Sequence, residues 1–138
     1  MRYYLDTNIL IFILLNEDKN IDRHVWRILK DYSNVFYVSA VVVRELIHAY
    51  KAGDIKDAFH KTIKDLLASI EASGIEIKPL NKYHLYTYAE LEAVPNHKDP
   101  NDHIIIAQAI SDKIPIISSD HKFKLYTSQG LDFIFNKR

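Results

Sequence analysis

The chain has 138 residues, the length of one ordinary domain, and 18 basic against 18 acidic side chains give it no net charge at neutral pH, so no global field marks a polyanionic partner. Apolar residues make up 48% and charged residues 26%, with three Gly, four Pro and no low-complexity tract, which argues against disorder and linkers. No cysteine is present, which excludes disulfides, thiolate metal sites and a cysteine nucleophile and suits a reducing cytoplasm. The longest apolar run, Ile9 to Leu15, is far shorter than the roughly 18 residues of a membrane span, and no basic segment with a cleavage site precedes it.

In chain order, Arg2 to Leu5 reads as a short strand of β-formers, followed by an apolar helical segment from Thr7 to Leu15. A second helix is expected from about Asn20 to Tyr32, with Ile21, Val25, Ile28 and Leu29 at helical spacing. Val35 to Val38 reads as a buried strand. Ser39 offers an N-cap for a helix over Ala40 to Lys51, closed by Gly53, and Asp54 a cap for the next helix up to Gly74, the pair making a helical hairpin. Lys51, Lys56, Lys61 and Lys64 would fall along that segment, and Lys122, Lys124, Lys137 and Arg138 gather near the end; a solvated face accounts for both groups. Glu76 to Leu80 is a third strand, Lys82 to Ala93 a helix, and Val94 to Lys98 a loop. Asp99 and Pro100 supply the cap and first position of a helix running to Lys113. Ile114 to Ser118 and Leu131 to Phe135 complete the strands. Strands alternating with helices predict a single α/β domain over residues 1–138, a three-layer α/β/α sandwich around a parallel sheet of about four or five strands.

Open parallel sheets bind ligands beyond the carboxyl ends of their strands. Asp6 directly follows the first strand, Asp120 lies just beyond the fourth, Asp102 stands in the first turn of the helix feeding the fourth, and Glu45 lies in the second turn of the helix after the second. Each has an ordinary reading: Asp6 as a helix cap, Asp102 as an acid at a helix N-terminus, Glu45 as the partner of Arg44, and Asp120 as a turn residue. Converging on one cleft, they would repel one another and call for a hard divalent cation such as Mg²⁺ or Mn²⁺, which takes oxygen ligands. Two such ions about 4 Å apart can drive in-line displacement at a phosphodiester.

The order of these segments resembles the PIN domain and, within it, the VapC-like toxins. The pattern covers essentially the whole chain: Tyr4-Leu5-Asp6-Thr7-Asn8-Ile9-Leu10, then Ser39 to Leu46 with Glu45, then Asp99-Pro100-Asn101-Asp102-His103 leading to Ala109, then Ile116-Ile117-Ser118-Ser119-Asp120. The resemblance implies a metal-dependent endoribonuclease that inhibits translation by cutting tRNA, rRNA or mRNA. It assigns Asp6 and Asp102 first, with Glu45 and Asp120, as metal-binding catalytic residues for Mg²⁺ or Mn²⁺. Thr7, Asn8 and Ser118 would orient carboxylates or water, and Asp99 would only cap. A cognate antitoxin laid across the helical hairpin and active site, a homodimer and a cytoplasmic location are also implied. Asn101 and His103 depart from the Phe and Arg that often flank the third acid, which touches substrate contacts and pH dependence. Alternative readings are a stand-alone RNA-processing nuclease and a catalytically silent PIN binding module. A phospho-acceptor domain would want adjacent acids after the first strand, where Thr7 and Asn8 stand. Zinc has no His-Glu-x-x-His motif, and His48 pairs only with Glu45 on its helix.

Overall fold

A computed structural model describes every residue except Ala58. Five parallel strands form the sheet: β1 (Arg2–Leu5), β2 (Val35–Ser39), β3 (Ile75–Lys78), β4 (Ile116–Ser118) and β5 (Phe133–Phe135), in the order β3-β2-β1-β4-β5. Among the described residues six α-helices connect them: α1 (Thr7–Leu14), α2 (Arg23–Lys30), α3 (Ala40–Lys51), α4 (Ile63–Ala72), α5 (Lys82–Glu90) and α6 (Pro100–Asp112), with 3-10 turns at Asp18–Asn20 and His121–Gln129. From β1 the chain steps outward through β2 to β3, then returns across the sheet to β4 and β5. Right-handed crossovers therefore put α1 to α4 on one face and α5, α6 and the second 3-10 segment on the other, the expected three-layer α/β/α arrangement.

The central strand is buried on both faces, so β1 is apolar at Tyr3, Tyr4 and Leu5 with no alternation. Leu5, Ile9, Leu10, Leu46, Leu66, Ile70, Ile106, Ile116 and Ile117 form the innermost core. Their burial, at roughly 1.5 to 3 kcal/mol for each large side chain, supplies the drive that holds the layers together. The Tyr4 hydroxyl donates to Asp112 at the end of α6, and His84 Nε2 meets the same carboxylate at 2.8 Å, joining β1, α5 and α6.

Several boundaries differ from expectation for local reasons. The helix expected from Asp54 starts at Ile63, capped by Thr62, whose hydroxyl accepts the Asp65 N–H. Upstream, Asp57 accepts the N–H groups of Phe59 and His60 and contacts His60 Nδ1 at 2.8 Å. An acid that satisfies its own neighbouring backbone competes with helix formation. Ala58, within the expected helix, lies outside the described residues. The four lysines are consequently not on one helical segment: Lys51 lies in α3, Lys64 in α4, and Lys56 and Lys61 in the connection. α3 and α4 still touch, joined by a long link instead of a tight turn. The second helix begins at Arg23 because Asp22 takes the cap, accepting the Val25 N–H. Gly53 closes α3 with φ +78°, the left-handed conformation that a glycine adopts without steric penalty.

Candidate metal centre

The strand order reverses at β1, which pairs with β2 on one side and β4 on the other. The crevice beyond the carboxyl ends of β1 and β4 is therefore where a ligand site belongs in this architecture. Asp6 ends β1 there, its N–H donating to Ile117 O across the sheet at 2.9 Å. It is a helix cap and also a member of the acid cluster. One carboxylate oxygen accepts the Thr7 N–H at 2.8 Å, and the other accepts the Ser118 hydroxyl at 2.6 Å. The residue is 5% exposed. Burial raises its pKa, Asp120 and Asp99 add to the rise by repulsion, and the two hydrogen bonds oppose it.

Glu45 projects from α3 and accepts the Thr7 hydroxyl at 2.9 Å. It does not pair with Arg44, which turns away to Asn101 at 3.4 Å. Asp102 stands in the first turn of α6, which Asp99 caps by accepting the Asn101 N–H. Asp99 is thus occupied with the cap, as expected. Burial, followed by repulsion from Asp6, Asp99 and Asp120, pushes Asp102 up to about 7. Glu45 is likewise pushed to about 7, by burial first and then by Asp6, Asp102 and Asp99 against the opposing Thr7 bond. Asp120 caps the 3-10 segment through Lys122 N, and its own N–H donates to Ser118 Oγ.

Two sets of donor atoms lie within 4.8 Å of one another: Asp6, Glu45 and Asp102, and His97, Asp102 and Asp120. Asp102 belongs to both. All four acids are therefore drawn into one region, with Thr7 hydrogen-bonded to Asp6 and Glu45 and Ser118 to Asp6. Asn8 lines an adjoining cleft of about 350 Å³ together with Arg44, His48 and Asn101. His48 belongs to neither donor set among the described residues. His103 faces inward to the loop: its Nε2 lies 2.8 Å from His97 O, and its ring packs edge-on against His97.

The donor set fits a hard divalent cation. It consists of carboxylates with one imidazole and no thiolate. Among the described residues every ion pair within 4.0 Å joins a carboxylate to a histidine, so no lysine or arginine is in direct contact with the acids, and the more distant Lys122 only partly offsets the rise at Asp102. Buried like charges without a counter-ion hold protons or take up a cation, and the raised pKa values of Asp6, Glu45 and Asp102 express that frustration.

His97 is absent from the expected set. In sequence it lies in the loop before α6, five positions from Asp102, at no metal-ligand spacing. In the fold it is 3% exposed, with Nε2 3.0 Å from Asp102 Oδ2 and Nδ1 2.7 Å from the Tyr126 hydroxyl. Burial holds its imidazole below the ordinary histidine range.

The model of the PIN domain family matches residues 3–127. This chain belongs to the PIN domain family. The fold of this PIN domain is similar to that of a chain in VapBC2 from Rickettsia felis bound to a promoter DNA fragment (20% identity, 99% of this chain and 100% of that one, TM-score 0.69). It is also similar to chains in VapBC-1 from nontypeable Haemophilus influenzae (21%, 98% of both chains, TM-score 0.65) and in VapBC-5 from Mycobacterium tuberculosis, a toxin-antitoxin system (19%, 99% and 98%, TM-score 0.61). No curated protein sequence matches this chain.

Proposed function

We propose that this PIN domain is a divalent-metal-dependent endoribonuclease acting in the cytoplasm as the toxin of a toxin-antitoxin pair. The observation that carries the nuclease reading is the Asp6, Glu45 and Asp102 cluster, whose donor atoms lie within 4.8 Å of one another with no lysine or arginine in ion-pair contact among the described residues. Family membership and the toxin-antitoxin complexes among the similar folds support the biological setting. They also support an antitoxin protein as partner; the homodimer rests on the family resemblance. No helix among the described residues is long and apolar enough to cross a membrane.

Asp6, Glu45, Asp102 and Asp120 would hold Mg²⁺ or Mn²⁺. An ion of this kind would neutralise the acids and would supply Lewis-acid chemistry, lowering the pKa of a water and favouring departure of an oxygen from phosphorus. The chain's own groups prepare the site. Ser118 and Thr7 fix the two oxygens of Asp6, and the Thr7 hydroxyl fixes Glu45. Thr7, the first residue of α1, thereby joins Asp6 to Glu45 on α3, so one residue sets the separation of the two carboxylates. The adjoining cleft carries Arg44 at its lip, where a guanidinium can take a phosphate oxygen of the RNA backbone, with Asn8 and Asn101 as uncharged donors beside it. Neutral net charge makes such local contacts the means of binding RNA.

The test is cleavage of a mixed tRNA and rRNA pool by purified protein with Mg²⁺ or Mn²⁺, with EDTA and Asp6→Asn as controls. Discrete fragments that vanish in both controls are expected. Absence of cleavage with every RNA and metal would transfer the fold to a binding role.

A further inference from the structure

The loop between α5 and α6 buries a polar chain that the proposed chemistry does not by itself require. Tyr126 is fully buried, and its hydroxyl accepts the Val94 N–H at 3.2 Å. A buried hydroxyl also needs an acceptor for its own hydrogen. Among the described residues the acceptor in contact with it is His97 Nδ1, at 2.7 Å. The tyrosine hydrogen therefore occupies the Nδ1 lone pair, and the neutral ring carries its hydrogen on Nε2, which lies 3.0 Å from Asp102 Oδ2. The polarity runs in one direction, from Val94 N–H through Tyr126 and His97 to Asp102. The His97 ring is held from its other sides by the edge-on contact with His103 and by Phe123, and its carbonyl is engaged by His103 Nε2. The opposite tautomer, with Nε2 offering a lone pair to a metal, would put a hydrogen on Nδ1 and leave the Tyr126 hydrogen without an acceptor.

We propose that His97 is a positioning residue: Tyr126 locks it as the Nε2–H tautomer, and that N–H clamps one oxygen of Asp102, presenting the second to a cation shared with Asp6 and Glu45. This rests on the reading of the acid cluster as a cation site. The second oxygen of Asp102 has no protein hydrogen bond among the described residues, which leaves it available. A hydrogen bond from an outer residue that orients a ligand typically changes metal affinity by about 10- to 100-fold when lost.

Two measurements test the clamp. Nitrogen-15 NMR of the metal-free protein reads the tautomer, with Nε2 protonated and Nδ1 bare as the expected result; Nδ1 protonated overturns the proposal. Mn²⁺ titration then compares wild type, His97→Ala and His97→Gln, with thermal unfolding as the check on folding. The alanine variant should bind Mn²⁺ about 10- to 100-fold more weakly, while glutamine, whose amide N–H can stand in for Nε2–H, should recover most of that loss. Unchanged affinity in His97→Ala, or equal loss in both variants, overturns the clamp alone. A wild type that binds no Mn²⁺ overturns the cation-site reading, and the clamp's purpose with it, whatever the tautomer.

Discussion

Replacing Asp102 with Asn should stabilise the metal-free protein at alkaline pH. The carboxyl rises from its ordinary 3.8 to about 7 in the fold. At about 1.4 kcal/mol per pH unit this corresponds to roughly 4 kcal/mol of penalty for holding the charge. The side chain is 18% exposed, and its repulsion is shared with Asp6 and Glu45, so solvent and coupling reduce the usable part to about 2 kcal/mol. Asparagine keeps an oxygen for His97 Nε2, so the removed charge is the main change. For a chain of this size about 2 kcal/mol raises Tm by roughly 6 °C. Between pH 4 and pH 7 the folded wild type binds more protons at this site than the unfolded chain, so its stability falls as pH rises through that window. The advantage of Asp102→Asn should therefore be full at pH 8 and shrink to a few tenths of a kcal/mol near pH 4. Calorimetry in EDTA at both pH values measures it. A variant less stable than wild type at pH 8, or a gap indifferent to pH, would refute the electrostatic reasoning.

Mn²⁺ affinity should fall at least tenfold from pH 8 to pH 6, because Glu45 and Asp102, both near 7, take protons that the metal must displace; titration calorimetry at the two pH values decides, and equal affinities contradict it. Ser118→Ala removes the 2.6 Å bond to Asp6 and strands the Asp120 N–H, and should cost about 2 kcal/mol in urea unfolding; a neutral result would show that Asp6 is oriented by Thr7 alone. Thr62→Ala should lose about 1 kcal/mol of stability as the cap of α4, while Asp54→Ala stays within about 0.5 kcal/mol; the reverse order would restore the longer helix.

The acids were readable because each follows from strand and helix punctuation. Asp6 ends a run of β-formers, Asp102 follows a cap and a proline, and Glu45 lies on a helix that Ser39 opens. Once those elements are placed, a parallel sheet gathers the acids at one edge. The length of α4 was not readable, because Asp54 and Thr62 are both good caps and only the hydrogen bonds of Asp57 to its neighbours decide between them. The 3-10 segment over His121–Gln129 has no periodic signature, so Tyr126 could not be placed beneath the 94–98 loop. Without Tyr126 nothing distinguished His97 from the other six histidines. Asn101 and His103, where the family often carries Phe and Arg, serve the cleft wall and the loop.

Diffraction from a crystal soaked in Mn²⁺, collected where the metal scatters anomalously, would locate the ion itself. A peak bounded by Asp6, Glu45 and Asp102, lost in Asp6→Asn crystals, is the predicted result. A well-diffracting soak with no peak among these carboxylates would contradict the assignment of this cluster as a metal-dependent nuclease centre.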